Sequence, residues 1–322
     1  MREMAQLQQI GSMLRLVARG IASRGAGEPL PEVPKRKPAV ERVYPGVDPR
    51  LHARYLHATG GDGVERLAAG VLSPVFPAVW ETAQALELFA RLDRPLPAGG
   101  LVHAEGELVS LRPIEVDDHV RCRVELERAE RVRKGIRLTL TARSWTGAGQ
   151  LCTQSTSVFL ARTRRPDEAA GEHVPRPTAR DEGDPRGEPP ERWDEVARWR
   201  LGGGAGRRYA AVSGDWNPIH LWSVTARPFG FRRPILHGFC TEAMVAHALI
   251  ERRLGGDPAA LRRLRIAFRA PLPLPSTVRL LTGEGIGSRW FRVVDDAGET
   301  VFAEGTWAGG ENASRPRLSI VR

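Results

Sequence analysis

One order of segments, run through twice, limits what this 322-residue chain can fold into. In each half a long apolar helical segment comes first and strand-like runs follow. In the first half the helix is expected over Val75 to Leu92, and strands over 102–111, 120–129, 136–145 and 151–160. Arg137-Leu-Thr-Leu-Thr-Ala142 alternates as a strand with one wet face should, and Gly147-Ala-Gly149 supplies a hairpin turn. In the second half the helix is expected over His237 to Leu254, and Leu264-Arg-Ile-Ala-Phe268 opens the sheet. Each half also ends in a hairpin, Trp145 to Phe159 and Val293 to Trp307, and the helix-to-strand spacing is similar in both. The pattern predicts an α+β fold of two tandem units. Each is a long helix followed by strands, and the two sheets are expected to join edge to edge, which also covers exposed strand edges.

The flanks divide the chain further. Leu7, Ile10, Leu14, Val17 and Ile21 recur at steps of three and four, which predicts an amphipathic helix, and 25–40 read as a linker. That helix could pack on the protein body, which is the blander reading, contact a partner or touch a membrane surface. Residues 164–190 are rich in Pro, Gly and charge, with almost no large apolar residues, and read as a connector. The expected division is therefore 1–40, 41–163, 164–190 and 191–322.

Cys122, Cys152 and Cys240 have neither disulfide-framework nor zinc-ligand spacing, so a reducing cytoplasm is expected. No apolar stretch is long enough to span a bilayer, and no signal peptide is evident. The net charge is +10, carried almost wholly by arginine. No zinc finger, aromatic RNA-binding run or dense basic helix accompanies it, so nucleic acid is not an expected partner. An anionic thioester carrier and an arginine-rich composition without a specific partner are the two readings left.

The chemistry is concentrated in Tyr209-Ala-Ala-Val-Ser-Gly-Asp-Trp-Asn-Pro-Ile-His220 and, further on, Ile235-Leu-His-Gly-Phe239. Ser213-Gly214-Asp215 has turn chemistry. Asn217-Pro218 reads as an N-cap followed by Pro at the first helical position, with the helix running to Ala226. Asp215 just outside this helix and His220 in its first turn can then meet at one point. Either residue alone is more often a cap or a structural histidine. The pair, with a second helix start at His237-Gly238, points to acid/base work.

This run resembles the hydratase motif of the MaoC-like, (R)-specific enoyl-CoA hydratase family: aromatic-x-x-x-Ser-Gly-Asp-x-Asn-Pro-aliphatic-His, then Ala, Gly-Phe and His-Gly-Met. The chain departs from it at Phe239. The resemblance implies a double hot-dog fold and hydration of trans-2-enoyl thioesters, or the reverse dehydration of (R)-3-hydroxyacyl thioesters. It implies one active site per chain, in the second half, with the acyl group housed by the first. There Tyr55 to Asp62 is only a faint echo of the motif, so His57 and Asp62 read as structural.

Within that chemistry Asp215 and His220 would share the water. The first amides of the His237 helix, at Gly238 and Phe239, would receive the thioester oxygen. Asn217 is expected to orient the dyad through its side chain, Ser213 to hold the turn and His237 to orient its neighbours. Neither a metal nor a cofactor beyond the substrate's own coenzyme A or phosphopantetheine is expected, and a homodimer is left open. A dehydratase of a specialised carrier-bound, branched or dicarboxylic intermediate, and a non-catalytic acyl-thioester-binding subunit, are the alternatives. Gly202-Gly-Gly-Ala-Gly206 lacks the Lys-Ser/Thr of a P-loop, and Gly283 to Gly287 reads as a turn between strands.

Overall fold

A computed structural model describes residues 37–92, 101–132, 135–147, 149–162 and 188–310. The expected N-terminal helix and most of the two linkers lie outside the described residues.

The first half contributes β1 (Ala39–Tyr44), α1 (Pro49–Thr59), the single turn α2 (Glu65–Ala68), α3 (Ala78–Ala90), β2 (Leu101–Ser110), β3 (Val120–Val132), β4 (Gly135–Thr146) and β5 (Gln150–Arg162). The second contributes β6 (Asp194–Leu201), α4 (Ala205–Ser213), α5 (Ser223–Ala226), α6 (Gly238–Arg253), β7 (Leu261–Phe268), β8 (Ser276–Gly285), β9 (Ser288–Asp295) and β10 (Val301–Gly309). All ten strands form one sheet in the order β1-β3-β4-β5-β2-β7-β10-β9-β8-β6. The order is a palindrome about the antiparallel pair β2–β7, where Glu105 to Val109 face Ala267 to Arg263. The edge-to-edge joining of two units is thus observed.

The two long helices are buried on nearly every side, including polar residues such as Glu81 and Gln84 on α3 and Glu242 and His247 on α6. On α3 every residue from Ala78 to Leu86 is buried except Ala83, which is half-buried, and on α6 burial is unbroken from Cys240 to Ile250. Strand β3 alternates buried and wetter positions, as a sheet with one solvated face should. The helix α6 ends on Arg252 and Arg253, which favour its negative end, and the chain turns away through Gly255 and Gly256 at positive φ.

Two expectations need correction. Gly283 and Gly285 lie inside β8, and only the turn at Ile286-Gly287 links it to β9. They are glycines because a side chain there would meet the backbone oxygens of Arg192 and Glu188 at 2.4 and 2.0 Å. The helix from Pro218 to Ala226 is broken. A 3-10 turn covers Pro218–His220, Trp222 is extended, and α5 begins afresh at Ser223. Thr225 Oγ1 donates to the Pro218 carbonyl and accepts from the Trp222 amide, so its hydroxyl takes backbone groups that a continuous helix needs.

Candidate active site

The site starts from the end of α4. Gly214 takes a left-handed conformation (φ 75°), and its amide donates to the Ala210 carbonyl at 2.8 Å. Buried Ser213 donates its hydroxyl to the Tyr209 carbonyl and accepts the Asp215 amide, so it holds the turn as expected. The chain leaves the turn with the Asp215 carboxylate accepting the Asn217 amide at 3.1 Å. Asn217 then caps the 3-10 turn that carries His220.

Asn217 does not reach the dyad with its side chain. Its Oδ1 accepts the Ile219 amide and its Nδ2 donates to the Leu101 carbonyl on β2, both at 3.4 Å. It orients Asp215 through its own backbone, and its side chain ties the loop to the other half of the molecule. A local apolar cluster of Ile219, Ala226, Phe231 and Ile235 packs beneath the segment. That gives the aliphatic, Ala and Phe positions of the motif a physical reason. Gly206 of α4, read from sequence only as part of a glycine run, is needed for approach. A side chain there would lie 2.2 Å from the His220 carbonyl oxygen.

His220 is buried, and its Nδ1–H donates to the Ile235 carbonyl at 2.7 Å. That bond fixes the tautomer and leaves Nε2 with a free lone pair. Burial, reinforced by neighbouring His237, pushes the imidazole down to about 3, so it is neutral at physiological pH and Nε2 carries no proton. Burial acts on the Asp215 carboxyl in the opposite sense and raises it. His237 caps α6 and donates from Nε2 to the Asp215 carbonyl at 2.9 Å. Its ring stacks on that of His220 with centroids 3.7 Å apart. One contact fixes the backbone of the acid and the other fixes the plane of the base.

Ligand atoms of Asp215, His220 and His237 all lie within 4.8 Å of one another. Two of the four imidazole nitrogens are already committed to backbone carbonyls. Beside this cluster α6 begins, with Gly238 and Phe239 half-buried and their amides meeting no acceptor among the described residues. Gly238 cannot carry a side chain, since a Cβ would lie 2.8 Å from His103 Cβ.

Beyond Phe239 a narrow pocket runs into the first half. It lies between α3 (Glu81, Thr82, Ala85) and the strands carrying Val124, Leu140, Ala142, Ser155, Ser157 and Phe159. Asp215, His220 and His237 thus gather beside Gly238 and Phe239 at the start of α6, while Ser213 and Asn217 hold the turn that carries them, and the pocket leads away. His57 and Asp62 pair with each other on the surface at 3.1 Å. The pocket residues and His103 were not foreseen, since each comes from a segment far from the motif in sequence.

Residues 193–301 match the MaoC like domain family. Over 257 residues the chain is 33% identical to 3-hydroxyacyl-thioester dehydratase X of Mycobacterium tuberculosis, covering 80% of this chain and 83% of that protein. The fold superposes on the crystal structure of HtdX of Mycobacterium tuberculosis with a TM-score of 0.66 and 26% identity, over 84% of this chain and 99% of that one. A second protein of that organism, described as having a double hotdog fold, gives a TM-score of 0.54 at 12% identity over 88% and 99% of the two chains, a likeness of fold alone. With two helix-and-sheet units, one of them carrying the motif, the chain belongs to the MaoC-like dehydratase family and has its double hot-dog fold.

Proposed function

We propose that Asp215 and His220 hold one water and add it across the double bond of a trans-2-enoyl thioester. The protein is a hydro-lyase, and the reverse reaction dehydrates (R)-3-hydroxyacyl thioesters. The observation that carries the mechanism is the free Nε2 of a neutral His220 beside the Asp215 carboxyl and the unpaired first amides of α6.

The water gives its proton to His220 Nε2 while its oxygen bonds to C3. The π electrons move through C2 and C1 onto the thioester oxygen. The Gly238 amide, with Phe239 beside it at the positive end of α6, receives that developing charge. The proton then passes from the dyad to C2 on the same face, which gives syn addition. Held groups of this kind contribute roughly 10²–10⁴-fold each. His237 holds the two partners in register. No step calls for a metal or a cofactor, and activity is expected to persist in chelator.

Coenzyme A or the phosphopantetheine of acyl carrier protein carries the thioester in this reading, and the net charge of +10 supports an anionic carrier. The described residues contain no helix long and apolar enough to cross a membrane. The three unpaired, buried cysteines support a cytoplasmic setting. The test is loss of enoyl absorbance on crotonyl-CoA and on a medium-chain trans-2-enoyl-CoA, beside Asp215→Asn and His220→Ala. Turnover that falls at least about a hundredfold in both variants is expected. Binding without turnover on any thioester, carrier-bound ones included, would replace the enzyme with an acyl-thioester-binding module.

A further inference from the structure

Phe239 stands between the reacting groups and the pocket of the first half. It lies in the first turn of α6, next to Gly238. Among the described residues that line the pocket it is the one drawn from the second half. The free space behind it is about 10 Å³, room for roughly one water. The surface around that space is almost wholly apolar. Ser155 Oγ is turned to Glu81 Oε2 and Thr82 Oγ1 to the Ala78 carbonyl, both at 2.7 Å, so these polar groups of the wall are satisfied within it. A methyl group is of the size this space accepts, and a hydrocarbon tail is not.

Neighbours hold the ring where it is. His103 of β2 packs on Phe239 with ring centroids 4.4 Å apart, and His103 itself lies against Phe159 at 5.0 Å and Phe268 at 4.9 Å. Phe89 of α3 closes on Phe159 at 5.9 Å. The helix start cannot shift towards β2, because a Cβ on Gly238 would already lie 2.8 Å from His103 Cβ. Interiors packed in this way resist added volume. Beyond the ring the wall is small and aliphatic, with Ala85, Val124, Leu140 and Ala142. Removing the Phe239 ring would join its volume to the space they enclose.

We infer that Phe239 sets the length of the acyl chain and holds this protein to short trans-2-enoyl groups of crotonyl size. The inference rests on the hydratase reading of the site. In that reading C1 lies at the first amides of α6 and C3 at the dyad, so C4 is the first carbon to meet the Phe239 ring. A terminal methyl fits there, and each further methylene must displace a ring that its neighbours hold. The methionine of the motif at this place is unbranched and flexible, and would yield where the ring does not. The chain's departure from the motif at Phe239 thereby acquires a function.

The test follows kcat/KM of the full-length protein along trans-2-enoyl-CoAs lengthened from crotonyl to octenoyl. Wild type should be fastest on crotonyl-CoA and slower on the octenoyl thioester by at least about tenfold, since a hydrophobic pocket discriminates a single methylene roughly 10–200-fold. Phe239→Ala should raise the octenoyl-to-crotonyl ratio of kcat/KM by at least about tenfold, whatever it does to crotonyl turnover. A merely structural role for the ring would lower both rates together and leave the ratio alone. Ala142→Leu added to Phe239→Ala should cancel the gain, which locates the longer chain in this pocket. If Phe239→Ala fails to fold, Phe239→Met is read in its place, with a change of the same sign. A wild type that prefers octenoyl to crotonyl, a ratio unmoved by the variant, or a gain that survives Ala142→Leu would overturn the inference. If no thioester turns over, the hydratase reading falls instead. Calorimetric binding of butyl and octyl thioether analogues of coenzyme A then decides the gate. Wild type should bind the butyl compound more tightly, and equal or tighter binding of the octyl one would overturn it.

Discussion

The two halves share a frame and differ in what they hang on it. Both α1 and α4 carry a tyrosine, then a hydroxyl residue four places on, then a left-handed glycine. Thr59 donates to the Tyr55 carbonyl as Ser213 does to that of Tyr209, at 2.7 and 2.9 Å. The segments before the long helices also correspond. The Leu72 amide donates to the Ile114 carbonyl and the Leu236 amide to that of Leu272. The next two residues are Ser73-Pro74 in one half and His237-Gly238 in the other. Proline has no amide hydrogen, so the first half lacks the donor that Gly238 offers.

Where the second half has Asp215, the first has Gly61, and His247 of α6 packs against it. His247 donates from Nδ1 to the Thr59 carbonyl and accepts at Nε2 from Ser73, while His220 is bonded only at Nδ1. A buried histidine with both nitrogens occupied is architecture. One with a nitrogen left free beside a carboxyl can take a proton.

The contrast can be broken most sharply in the second half. His220→Ala and Asp215→Asn are expected to lower kcat by at least about a hundredfold, read on crotonyl-CoA. Next comes the donor. Gly238→Pro copies the first half, and with His103→Ala to admit the ring it should lose roughly 10²–10³-fold in kcat against His103→Ala alone. A loss confined to KM would remove Gly238 from the transition state. In the first half, Gly61→Asp should create no second site. Its side chain meets His247 at 2.8 Å, and overpacking of about 1–3 kcal/mol should appear as a lower Tm with turnover retained.

The smallest effect concerns pH. Folding raises Glu242 to about 8 and Glu81 to about 7 from ordinary carboxyl values of 4.5. The unfolded chain therefore loses these protons first, and stability should fall as pH rises from about 4.5 towards 8. His103, Glu81, Tyr55 and Tyr209 are the titratable groups that face Glu242. Glu242→Gln should raise the Tm more at pH 8 than at pH 5, and an equal change at both would place that carboxyl outside the effect.

What could be read in the sequence was local. The turn at Gly214, the cap at Asn217, the helix start at His237 and four of the five strands of the first half, β1 being the one missed, each depend on neighbours a few residues away. The break at Trp222 was missed because one threonine hydroxyl, seven residues after Pro218, overrides a good helix start. The partner of Asn217 was missed because Leu101 lies 116 residues away in sequence. Glu81, Glu242 and His103 read individually as unremarkable helix and strand residues. Only the closing of α3, α6 and β2 around one interior makes them a group.

The β2–β7 pairing has a consequence for how such a chain can be inherited and cut. Five residue pairs join the halves there, and Glu107 meets both Arg263 and Arg265 across the seam. Asn217 adds a link from the reacting loop to β2. Besides the chain itself, the seam is thus held by specific non-covalent contacts. Two genes, one for each half, should give polypeptides that find each other and rebuild the site. The peptide bond between them then secures equal amounts of both more than it secures the fold.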